Sequence, residues 1–228
     1  MRLVRHVVLQ FISAIALSLL TWGVTATAAT PEQGREYALL KQAQPVEAGK
    51  KIEVIEFFAY YCPHCNALES LLTEWAKKNA DRITFKRIHV LYPGMESQLK
   101  LFFALDALGK VDAYQSKVFQ AYHVERNRLM TDEQVAQFVT KAGLDKAQFF
   151  AAYNSFTVRT KLGRIQRIMN DYEIESWPTL IIDGRYVTSP PMAAASMGRV
   201  TEIQQNQALL PVLDVLVARA QKEKTGAK

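Results

Sequence analysis

Nine residues, Phe57-Phe58-Ala59-Tyr60-Tyr61-Cys62-Pro63-His64-Cys65, join two stretches of different periodicity and hold both cysteines of the chain. Before the cysteines, Ile52-Glu53-Val54-Ile55-Glu56-Phe57-Phe58 is β-branched and aromatic, as a buried strand is. After them, Leu68, Leu71, Leu72 and Trp75 fall at i, i+3, i+4 and i+7, one face of a helix. The dithiol therefore sits at a strand-to-helix junction, with Cys62 beside the helix N-terminus. Pro63 suits that first turn, where its missing N–H is one the helix leaves unpaired anyway. Orphan N–H groups and the positive end of the macrodipole favour a thiolate at Cys62. His64 can add a donor or a partial positive charge beside it. A nucleophilic Cys62 and a resolving Cys65 can then shuttle between dithiol and disulfide.

Other uses of the pair fit less well. A structural disulfide between such near neighbours closes a tiny loop and restrains little chain. Zinc needs more ligands; there is no second cysteine pair, and His6, His89 and His123 are scattered, so no metal is expected. Covalent haem needs histidine directly after the second cysteine, where this chain has Asn66.

The N-terminus sharpens the reading. Arg2 and Arg5 precede a mainly apolar run over 7–20, and Ala26-Thr27-Ala28 is an A-x-A-like cleavage site, so residues 1–28 read as a secretory signal peptide. Its removal takes two arginines and no acids, and the formal charge of +6 becomes +4. No clustered basic run points to nucleic acid. An exported chain enters an oxidising compartment. Two cysteines in one C-x-x-C, and none elsewhere, suit a catalyst of disulfide chemistry better than a protein stapled by disulfides. The 228 residues, 49% of them hydrophobic, suffice for one domain with a large core, or one carrying an insertion.

Along the chain, residues 36–40 suggest a short edge strand. The strand to Phe58, the helix from about Cys62 to Lys78, and a second strand over 83–90 form a βαβ unit with a parallel pair. From Glu96 to about Tyr172 the pattern is helical. Leu99, Phe102, Phe103 and Leu105 open a helix that stops near Gly109, and a shorter one spans 113–122. Thr131-Asp132-Glu133-Gln134 is a capping box for a helix ending near Gly143. Asp145 can cap the next, with Phe149, Phe150 and Tyr153 inward. Val158, Leu162, Ile165, Met169 and Tyr172 make a continuous seam on the last, whose Arg159, Lys161, Arg164 and Arg167 face solvent. Strands return at 177–182 and 185–188 around an Asp183-Gly184 hairpin turn, and Pro190-Pro191 ends the second. A final helix is expected from Pro211 to about Ala220, with 201–210 as a separate turn or two. The simplest organisation is one α/β domain in two parts, 30–92 and 167–221, interrupted by helices over 93–166, with a frayed tail at 222–228.

Glu56-Phe57-Phe58, Cys62-Pro63-His64-Cys65, His89-Val90, and Trp177-Pro178-Thr179 before a hairpin resemble the thioredoxin-fold disulfide oxidoreductases, specifically the periplasmic DsbA family. The likeness extends to the order of elements and spans nearly the whole mature chain. It implies a thioredoxin fold interrupted by an all-helical insertion. It makes Cys62 the exposed nucleophile, Cys65 its buried partner and His64 the stabiliser of the Cys62 thiolate. Pro178 becomes a cis-proline facing the dithiol, with neighbouring backbone that pairs with an extended substrate chain. Glu56 becomes a buried acid near Cys65. The resemblance also implies unfolded exported proteins with free thiols as substrates, a DsbB-like membrane quinone reductase for reoxidation, and no cofactor beyond the redox-active disulfide. Nothing in the sequence argues against a monomer.

Glu56 has an independent argument. An unpaired carboxylate in an apolar strand is costly, and burial raises its pKa so that it can pass protons. Arg87 or Lys86 on the next strand could pair with it. Trp177 departs from the family, which commonly places a small β-branched residue such as valine there. Its indole either narrows the groove or, with Tyr60, Tyr61 and Thr179, forms a platform for substrate. The expected activity is periplasmic thiol:disulfide oxidation. The rivals are an isomerase or dedicated reductant on the same fold, and a thiol-independent chaperone using the apolar groove.

Overall fold

The computed structural model describes residues 30–47 and 49–226; the signal peptide expected over 1–28 lies outside them. Five strands, β1 (Ala38–Leu39), β2 (Ile52–Phe58), β3 (Ile83–His89), β4 (Thr179–Ile182) and β5 (Tyr186–Thr188), form one sheet in the order β1-β5-β4-β2-β3. β2 and β3 are parallel, joined across α1 (Pro63–Lys78), and the remaining pairs are antiparallel. β2 is buried along its whole length, because both faces of the sheet are covered. Ile52 and Val54 pack with α1 and the C-terminal helix α8 (Glu202–Thr225). Ile55 and Phe57 pack in the core shared with the helical segment. The period of two thus turns Glu56 the same way as Val54, and the parallel register sets it directly beside Arg87.

The helical segment comprises α2 (Glu96–Ala107), α3 (Val111–His123), α4 (Asp132–Lys141), α5 (Lys146–Tyr153) and α6 (Phe156–Asp171). Its ends follow local rules. Gly109 and Gly143 take positive φ just past α2 and α4, and Asp145 and Ser155 cap α5 and α6 by accepting the N–H of Gln148 and Val158. On α6, Val158, Ile165 and Met169 are buried, as the seam predicts. Only half of the expected box at Thr131 forms. Thr131 accepts the Gln134 N–H, but the Gln134 side chain turns to the N–H of Met130.

The C-terminal third differs from expectation. Ser189 caps a short helix, α7 (Pro190–Ala193), so the two prolines that end β5 also begin a helix. Pro211 does not start the last helix but sits inside it. α8 runs unbroken from Glu202 to Thr225, so residues 222–225, expected in a frayed tail, are helical. An interior proline costs about 3 kcal/mol. Burial of Leu209, Val212, Leu213, Leu216, Val217 and Ala220 offsets it, at roughly 1.5–3 kcal/mol for each of the larger side chains.

The β4–β5 hairpin turns through Asp183 (φ 51°) and Gly184 (φ 62°), the two positive values of a type I′ turn. Gly184 also lies against residue 44: a Cβ there would stand 2.3 Å from the Gln44 carbonyl oxygen. Gly184→Ala is therefore expected to destabilise the fold by about 2 kcal/mol. Urea unfolding measures this, and a change below about 0.5 kcal/mol would show that the approach of the two segments is not tight.

Candidate active site

Cys62 is the N-cap of α1, its Sγ accepting the backbone N–H of Cys65 at 3.4 Å, with Pro63 in the first turn. Cys65 follows on the buried face of the helix. Both cysteines are free thiols, but their surroundings differ. A hydrogen bond from the Cys65 thiol, the N–H groups of Cys65 and His64, and the His64 charge outweigh burial and bring Cys62 down from 9.0 to about 6. Burial pushes Cys65 far up, reinforced by Cys62 and by the charge of Glu56.

The expected exposure of Cys62 needs correction. Only 5% of it is accessible, because the turn before β4 lies across it: the Cys62 thiol donates to the Trp177 carbonyl oxygen at 3.7 Å. The Trp177–Pro178 bond is cis. Trp177 is half-buried, and Pro178 and Thr179 are buried. The Thr179 hydroxyl donates to the Ser176 carbonyl at 2.8 Å, closing the turn on itself. His64 points outward, with Nδ1 2.6 Å from Glu202 Oε1 at the start of α8.

Tyr60 and Tyr61 part company. Tyr61 packs edge-on against Trp177 and beside Tyr92, with ring centroids 6.3 and 5.5 Å away. Tyr92, which closes this aromatic trio and is 48% exposed, is not foreseen from sequence. Tyr60, expected on the groove with Tyr61, is wholly buried and cannot touch a substrate. Its ring packs on Phe58 and Phe119, and its hydroxyl donates to Gln115. Two histidines hold its backbone. Tyr60 N–H donates to His89 Nε2 at 3.1 Å, and His123 Nε2 donates to the Tyr60 carbonyl at 2.8 Å. His89 itself is buried, donates from Nδ1 to the Val90 carbonyl and is brought down to about 4, chiefly by burial, so it is neutral. These bonds fix the chain two residues ahead of Cys62.

Behind the dithiol lies a buried charge cluster. Glu56 is fully buried, and its Oε2 accepts Arg87 Nε at 3.1 Å. Arg87 also donates to Thr73 (2.8 Å), Asp112 (3.2 Å) and Glu69 (3.3 Å), so one guanidinium joins β2, β3, α1 and α3. Lys86, the other candidate for Glu56, pairs instead with Glu47 and Glu53, because adjacent strand residues point to opposite faces. Burial raises Glu56 to about 7 despite Arg87, and Glu56 Oε1 has no partner. Glu69 was missed in sequence; its signal is position i+4 from Cys65 on the buried face of α1.

A family model described as thioredoxin matches residues 47–200. The thiol:disulfide interchange protein DsbA of Burkholderia cepacia is 36% identical over 219 residues, 94% of this chain and 99% of that protein. That of Bordetella parapertussis is 32% identical over 214 residues, 93% and 97% of the two chains. The crystal structure of Pseudomonas aeruginosa DsbA is similar with a TM-score of 0.76 at 28% identity, covering 87% of this chain and 98% of that one. With the dithiol at the head of α1, the turn holding Pro178 across it and helices inserted between β3 and β4, the chain belongs to the DsbA family of thiol:disulfide interchange proteins, on the thioredoxin fold.

Proposed function

We propose that the chain is a periplasmic thiol:disulfide oxidase that donates the Cys62–Cys65 disulfide to exported proteins carrying free thiols. The unequal environment of the two sulfurs carries the proposal. A substrate thiolate attacks Cys62 Sγ of the oxidised pair, a substrate–Cys62 disulfide forms, and Cys65 leaves. Cys65 is a poor thiolate in its apolar site, so it leaves best with a proton. Glu56, at about 7, is an acid of the right strength to supply one. The substrate's second thiolate then attacks its own bonded sulfur, and Cys62 leaves as a thiolate held by N–H groups and the His64 charge. Two electrons pass from the substrate thiols to the enzyme pair.

Cys62, Cys65, Pro63 and His64 thus form the catalytic turn, and Glu56 and Arg87 tune it. Trp177, Pro178, Thr179 and Tyr61 present the substrate groove, joined by Tyr92. A DsbB-like membrane quinone reductase restores the disulfide, the cleavable leader directs export to the periplasm, and the protein works as a monomer without further cofactor. The division into 30–92, 93–166 and 167–221 belongs to the same proposal.

A thiol that titrates at about 6 rather than 9.0 is about nine-tenths ionised at neutral pH, instead of about one part in a hundred. That favours the reduced enzyme roughly tenfold, or about 30 mV of added oxidising power. Equilibration with glutathione, read by tryptophan fluorescence, tests the proposal. A strongly oxidising potential is expected. A thioredoxin-like reducing value would favour a dedicated reductant on this fold.

A further inference from the structure

The N-terminal end of α8 reaches the dithiol turn, and its contact there has no part in the transfers proposed above. Thr201 and Gln204 close a full capping box, which fixes the first turn of the helix. Glu202, the first residue of that turn, sets Oε1 2.6 Å from Nδ1 of His64, 138 positions earlier in the chain. The two side chains line a cavity of about 160 Å³ together with Ser176, Trp177 and Pro178, and among the described residues no other charged residue lines it.

We propose that Glu202 is a positioning residue for His64: its carboxylate fixes the ring through Nδ1 and keeps it an imidazolium beside Cys62, so that the disulfide stays strongly oxidising at higher pH than the histidine alone would allow. A bond of this length suits a charged donor and a charged acceptor. Glu202 from α8 and Cys62 from the same turn both hold the proton on His64, against partial burial. The His64 charge in turn favours the Cys62 thiolate. The side chains are 68% and 45% exposed, so the effect has the scale of an exposed ion pair, not a buried one. Without the carboxylate, the ring discharges near its ordinary value of about 6.5, and above that pH the thiolate loses its neighbour's charge.

The test compares the purified protein with its Glu202→Gln variant, which keeps the length of the side chain. The glutathione equilibrium is measured from about pH 5.5 to 8.5, and the His64 ring is titrated by NMR. The two proteins are expected to agree at the acid end, where both rings are protonated. By about pH 8 the variant should be two- to fivefold less oxidising. The His64 midpoint should fall in the variant. A constant offset at every pH would mark a general structural disturbance and overturn the proposal; so would an unmoved His64 midpoint. The inference rests on the oxidase reading for its consequence but not for its contact. A reducing potential with a shifted His64 midpoint sinks the oxidase reading, whereas an oxidising potential with an unmoved midpoint sinks this one.

Discussion

Cys62→Ser is expected to reduce catalysed oxidation of a dithiol peptide to the uncatalysed rate, while Cys65→Ser keeps a reactive Cys62 and accumulates mixed disulfides. The asymmetry follows from geometry. Cys62 accepts the Cys65 N–H at the head of α1 and lies under the Trp177 carbonyl, whereas Cys65 is fully buried one turn inside the helix. In Cys65→Ser, the Cys62 thiolate attacks a substrate disulfide and expels one substrate thiolate. The Cys65 sulfur that would attack Cys62 Sγ and expel the bound substrate sulfur is missing, so the mixed disulfide persists until the substrate's own thiol returns. Non-reducing electrophoresis and intact mass measure the trapped species. Oxidation that survives Cys62→Ser would sink the assignment of the nucleophile, and binding of unfolded chains that survives it would mark a separate activity. Stability gives a second readout. The folded value for Cys62, about 6, lies below the ordinary thiol value of 9.0. Its contribution to the reduced protein is therefore complete above about pH 9 and is lost as pH falls through about 6. Reduced wild type should lose stability relative to Cys62→Ser across that window.

What the sequence made legible are the features set by neighbours in the chain. The β2–α1 junction rests on one change of period, the β4–β5 turn on Asp183-Gly184, and the caps at Asp145 and Thr131 on side chains three residues from their partners. What it hid depends on contacts between distant residues. Tyr60 and Tyr61 are adjacent and look alike, yet one is sealed by Phe58, Phe119, His89 and His123 and the other faces Trp177. Pro211 reads as a helix start because proline suits a first turn. The true start, Thr201 with Gln204, carries the same signature as Thr131 with Gln134, but the packing that lets α8 run through a proline is tertiary. For Glu56 the sequence leaves Arg87 or Lys86 as partner, and the parallel register selects Arg87. Glu69 and Asp112, which share that arginine, come from two other elements.

Arg87→Met is expected to be the most destabilising single change near the site, costing about 3–5 kcal/mol at mildly alkaline pH. The arginine side chain is only 4% exposed and is the counter-charge for Glu56, which is not exposed at all, and for Glu69. Asp112 is 96% exposed, and water can replace its partner, so it adds little. Two responses compete once the guanidinium is gone. The carboxylates can stay charged and bear the full desolvation penalty, or they can take up protons. Glu56 already titrates at about 7 with Arg87 present, so protonation at neutral pH costs it little, and removal of the cation moves it further up. A carboxyl raised in the folded state favours folding fully below its unfolded value and loses that contribution as pH rises through the folded value. The deficit of Arg87→Met should therefore be small at about pH 5 and grow through about pH 8. Urea unfolding at both pH values measures it, and equal losses at both would show that the arginine acts through packing and not through charge. Adding Glu56→Leu should recover part of the stability, because the second change removes the orphaned charge. The double variant also separates stability from chemistry. If Glu56 supplies the proton that lets Cys65 leave, the recovered fold should still release Cys65 slowly, and stopped-flow mixing with a peptide dithiol would expose the difference.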